Sequence, residues 1–181
     1  MPLLSLQFIR FIKLGLLTLT VPMAVLSGQS RAQVSPHQIA QAQLLEDSRL
    51  MVELSGFRNL DGEVCVSLFD SSEGFPNEEG DAVVAKQCID AVSMMPPADV
   101  SVTDVVVPIT FSDLVAGRSY AVSVWHDENG DGELNEGTFG IPTEGFGFSR
   151  NPEIGTSAPE FYESALLVLG EMTTSIEMIY F

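Results

Sequence analysis

The chain is predicted to be all-β, an antiparallel β-sandwich of about seven strands. Three observations carry that expectation: apolar residues recur at every second position in several short runs after Leu50, turn-forming Gly, Asp, Asn and Pro separate those runs, and sustained helical periodicity is missing. Short strands with one apolar face bury it by stacking one sheet on another.

The first 32 residues stand apart. Arg10 and Lys13 precede the apolar run 14–26, and Ser30, Arg31 and Ala32 place small residues at cleavage spacing. This is the layout of a secretory signal peptide cut after Ala32. The run is short for a spanning helix, which needs roughly 20 residues, and Pro22 interrupts it. No stable membrane insertion is expected after signal removal, and the predicted location is periplasmic or extracellular. Residues 33–49 form a polar leader that carries His37.

The sandwich domain is expected over residues 50–181. LMVELSGF sets Val52 and Leu54 against Met51 and Glu53, and EVCVSLFD sets Val64, Val66 and Leu68 against Cys65, Ser67 and Phe69. Between these two strands, Asn59, Leu60, Asp61 and Gly62 form a hairpin signal, because Asp-Gly supplies a positive-φ turn. SSEGFPNEEGDAV is an acidic loop, after which a strand or irregular stretch near residues 85–92 brings in Cys88. VSVTDVVVPITFSDL is the next β-rich run, and RSYAVSVWHD alternates Tyr120, Val122 and Val124 against Ala121, Ser123 and Trp125. Trp125 is expected to anchor the core. A Gly-rich loop follows, and YESALLVLG and TTSIEMIYF complete the strands. A small outer-membrane barrel is disfavoured because eight amphipathic strands of roughly ten residues are not present.

Twenty-five acidic residues face eight basic ones, a net charge of −17, and three of the basic residues lie in the signal segment. Such a field repels nucleic acid and anionic headgroups and attracts cations; it also keeps an exported protein soluble. The two cysteines, Cys65 and Cys88, are expected to form one disulfide outside the cytoplasm. A loop of that size stabilises by about 3 kcal/mol.

The stretch HDENGDGELNEG, residues 126–137, holds the strongest candidate site. Asp127, Asn129 and Asp131 alternate ahead of Gly132, matching the first half of a calcium loop, in which oxygens at alternate positions converge on a hard cation. Glu133, through its carbonyl, and Glu136 complete the predicted calcium ligands. Thr138 stands where such loops carry a bidentate Glu, and these residue types also populate plain turns. His126 with nearby carboxylates defines the alternative function, a hydrolase. The chain lacks a GxSxG elbow, an HExxH pair and a P-loop, so no catalytic residue is assigned and a non-enzymatic role is preferred. His126 is read first as a strand-end residue bonded to a loop carbonyl.

The stretch FGIPTEGFGFSRNP interleaves glycines with Phe139, Phe146 and Phe148. These aromatics, together with His126, are the candidate ligand-binding residues, and they either plug the sandwich or grip a protein, peptide or glycan. Phe75 and Pro76 are expected to pack against this stretch.

Three motifs now stand in order: Leu68 and Phe69 with EGFP at 73–76; HDENGDG at 126–132; and GIP at 140–142 with Glu144, Gly145 and GFS at 147–149. In these the chain resembles the bacterial family of secreted proteins catalogued as domain of unknown function 2141 (DUF2141). The resemblance implies an immunoglobulin-like or transthyretin-like sandwich, an export signal and no established activity. Arg150, between Ser149 and Asn151, departs from the family pattern. The disulfide is not implied by the resemblance and rests on compartment logic alone. Together these features predict an exported binding or accessory module with a calcium-stiffened loop.

Overall fold

Alternation places the first strand. Leu50, Val52 and Leu54 on β1 (Ser48–Ser55) are fully buried, whereas Arg49 and Met51 on its other face are exposed. The computed structural model describes residues 35–37, 48–77 and 83–181. The predicted signal segment and most of the leader lie outside the described residues.

The remaining strands are β2 (Glu63–Phe69), β3 (Val83–Asp90), β4 (Val107–Leu114), β5 (Arg118–Asp127), β6 (Gly145–Phe148), β7 (Leu166–Val168) and β8 (Glu171–Glu177). One four-residue helix, α1 (Phe161–Ser164), precedes β7 and takes the start of the segment expected to be extended. The strand beyond the expected seven is β6, which forms within the Gly/Phe stretch. That stretch pairs with β5 because Ser123, Trp125 and their neighbours face a short alternating run, Gly145 to Phe148.

The strands stack as two sheets. One is ordered β4-β1-β8; the other is ordered β3-β2-β5-β6, with β7 also paired to β5. Most pairs are antiparallel, but β1 and β8 run parallel. The hairpin expected at residues 59–62 is not formed, since β1 and β2 lie in different sheets. Each strand has an apolar face, and stacking the two face to face covers both, with Phe57 fully buried in the connection. The turn chemistry itself is used. Gly62 has φ +67°, and a Cβ there would fall 1.8 Å from the carbonyl oxygen of Asp127, so only glycine fits this crossing.

Leu50, Val52, Leu54, Val64, Val66, Leu68, Ile109, Phe111, Tyr120, Val122, Val124 and Ile176 meet between the sheets. Burying each such side chain contributes about 1.5–3 kcal/mol. The outer face of the larger sheet is covered in part, and β2 is buried at six of its seven positions. Phe69 lies there with Phe75, which also contacts Phe148 and Phe161 at ring separations of 5.2–6.0 Å. The expected packing of Phe75 on the Gly/Phe stretch is therefore present. The expected disulfide is also present, joining Cys65 and Cys88 directly across β2 and β3.

Among the described residues, no helix is long and apolar enough to cross a membrane.

Candidate functional site

Two features converge at the end of β5: a polar loop scaffold and an aromatic groove. The scaffold begins at His126, which is fully buried. Its Nε2–H donates to the carbonyl of Asp61 at 2.6 Å, and Nδ1 accepts from the Tyr180 hydroxyl at 2.9 Å. A carbonyl only accepts, which places the proton on Nε2. Both ring nitrogens are thus spent on holding the β1–β2 connection and the C-terminal segment to β5. Burial pushes the Tyr180 phenol up to about 12.

Asp127, only 4% exposed, caps its own loop. Its carboxylate accepts the amides of Gly130 (2.7 Å), Asp131 (3.1 Å) and Gly132 (2.8 Å). Glu144, also buried, accepts the amides of Glu128 (3.0 Å) and Asn135 (2.9 Å) from the other side. Burial pushes the Glu128 carboxyl up, but hydrogen bonds from Arg58 and Asn59 and the Arg58 charge outweigh it and hold the group below its ordinary value. Arg58 also lies over the Tyr180 ring, 4.7 Å from its centroid.

The five predicted calcium ligands part company. Asn129, Asp131 and Asn135 meet: Asp131 accepts from the amides of Asn129 (2.9 Å) and Asn135 (3.0 Å), and Asn129 and Asn135 are themselves in contact. Donation from Asn135, then from the Glu133 amide, holds the Asp131 carboxyl below its ordinary value. Glu133 and Glu136 instead line the neighbouring groove. Calcium wants six to eight oxygens around one point, and here Asn129 turns its nitrogen inward while both Asp127 oxygens hold amides. Among the described residues, the group of three or more His, Cys, Asp or Glu ligand atoms lying within 4.8 Å of one another is Glu63, Cys65 and Cys88. Its two sulfurs are joined to each other, so it offers no thiolate.

The groove lies on the outer face of the larger sheet and has a volume of about 840 Å³, within the range of small-molecule sites. Ser123 and Trp125 of β5 and Phe146 and Phe148 of β6 form its floor, and Leu134, Phe139 and Ile141 rise from the following loop. Lys86 and Phe181 also line it, with the Lys86 ammonium 5.4 Å from the Trp125 ring centroid. Phe139 is 95% exposed and sits at φ +67°, a left-handed conformation that costs a non-glycine residue about 1–3 kcal/mol. The predicted ligand residues therefore separate, Phe139, Phe146 and Phe148 lining the groove and His126 lying outside it.

A family model described as an uncharacterized protein conserved in bacteria (DUF2141) matches residues 52–177. The chain belongs to this family. The DUF2141 match runs from β1 through β8 and takes in both the capped loop and the groove floor. Comparisons with curated proteins and with solved structures returned no match.

Sequence reasoning took Trp125 for a core anchor, yet it stands on the outer face. The signal was in the alternation, which sets Trp125 with Ala121 and Ser123, opposite the core residues Tyr120, Val122 and Val124. Lys86, Ile141 and Phe181 were missed because nothing local marks residues that meet only when three separate segments cover one sheet.

Proposed function

We propose that this protein is an exported binding module that holds an apolar ligand in the groove on the outer face of its larger sheet. The observation that carries this reading is the aromatic floor of Trp125, Phe146 and Phe148 beneath the exposed Phe139. An exposed aromatic in a costly backbone conformation at the rim of a cavity is a recurrent feature of ligand clamps. The disulfide supports export, since such bonds persist outside the reducing cytoplasm. A hydrolase draws no comparable support, because His126 is fully buried with both nitrogens engaged.

Calcium enters the proposal as a weak ligand of the Asp127, Asn129 and Asp131 loop. It has to displace hydrogen bonds these side chains already make, so binding in the millimolar range is expected.

Trp125 is the single tryptophan, which makes the groove its own reporter. Purified protein is titrated with N-phenyl-1-naphthylamine, a neutral apolar dye whose absorption overlaps tryptophan emission. Energy transfer from Trp125 with micromolar affinity is expected, weakened at least fivefold by the surface changes Phe139→Ala and Ile141→Asp. Absence of transfer, or binding indifferent to both changes, overturns the groove as a binding site.

A further inference from the structure

Resting on that groove, the charges around it narrow the class of ligand. The Glu136 carboxylate lies beside the turn that presents Phe139: a Cβ built on Gly140 falls 3.5 Å from Glu136 Oε2. Glu133 lines the same wall. An exposed aromatic face next to a carboxylate is the chemistry that receives an ammonium group, through the ring quadrupole and direct charge attraction. The groove shows the first of these internally, since the Lys86 ammonium rests over the Trp125 ring. The chain as a whole carries −17, so its overall field attracts cations and repels anions.

We infer that the groove takes a cationic amphiphile, an apolar chain or ring bearing an alkylated ammonium group. The ammonium sits against Phe139 and Glu136, and the apolar body lies along Phe146, Phe148 and Trp125. Desolvating a quaternary ammonium costs less than desolvating a primary one, because it donates no hydrogen bonds to water, so an aromatic wall suits it.

The test uses three probes with the same tail: decyltrimethylammonium, decanoate and decyl maltoside, each below its micellar concentration and read by Trp125 fluorescence of the purified protein. Decyltrimethylammonium is expected to bind at least tenfold more tightly than the maltoside, and decanoate more weakly than either. Glu136→Gln should cut that preference to threefold or less. Asp104→Asn removes the same charge from an exposed turn away from the groove and should leave the preference intact. Equal binding of the three probes, or an equal effect of Asp104→Asn, overturns the ammonium proposal but leaves the groove standing. Binding of none of them overturns the groove reading as well.

Discussion

The Tyr180 hydroxyl donates to Nδ1 of the fully buried His126 across 2.9 Å. This one bond ties the penultimate residue of the chain to the end of the central strand β5. Removing the hydroxyl in Tyr180→Phe leaves a buried acceptor without a donor. A loss of about 1–3 kcal/mol is expected in urea unfolding, with His126→Ala costing more because it also frees the Asp61 carbonyl.

Gly145 faces the same tyrosine, and a Cβ at that position would fall 2.2 Å from its ring. Gly145→Ala should therefore destabilise by about 2 kcal/mol. In a Tyr180→Ala background the clash is gone, so the second substitution should cost almost nothing. A double-mutant cycle reads the difference directly; additive losses would disprove the contact.

The pH dependence has two limbs with different owners. Glu128 is held below its ordinary value of 4.5, so the folded state favours its charged form, and the stability it contributes is present above that value. That stability is lost as pH falls through the folded value, and Arg58→Met should flatten this acid limb. Tyr180 is raised from 10.0 to about 12, so its contribution is complete below pH 10 and disappears as pH rises toward 12. Melting temperature against pH should fall on both sides, with Tyr180→Phe removing much of the alkaline slope.

Asp127 and Asp131 belong to one motif but do different work. Asp127 is buried and holds three amides, so Asp127→Ala should cost about 2–4 kcal/mol without any metal. Asp131 is exposed, and Asp131→Ala should change stability little. Millimolar calcium should raise the melting temperature of the parent by no more than a few degrees and that of Asp131→Ala not at all. A calorimetric titration showing micromolar affinity would contradict the description of a loop already satisfied by its own amides.

The disulfide fastens β3, an edge strand that is largely exposed. Replacing both cysteines by alanine should cost about 3 kcal/mol, or roughly 10 °C in melting temperature for a domain of this size. Because β3 carries Lys86, the same variant should also weaken dye binding in the groove.

Local patterns determined a good deal. Alternation along residues 50–57, 63–70 and 118–127 identified three strands and their two faces, since period two is a property of each strand alone, but it did not say which face of the last one is core, and Trp125 was expected on the wrong side. Compartment logic paired Cys65 with Cys88, and three spaced motifs pointed to the family. Tertiary structure alone decided which strands are neighbours. It sent β1 and β2 to different sheets and set β8 parallel to β1, because face-to-face burial outweighs a local turn preference. It also decided what the conspicuous residues do. His126 and Asp127 resemble ligands in sequence, but folding brings a carbonyl, a hydroxyl and three amides to them, and satisfied buried polar groups become scaffold. Trp125 resembles core, but it lies on the sheet face that loops 70 residues apart cover only in part. That gap is the groove, and no window of sequence contains it.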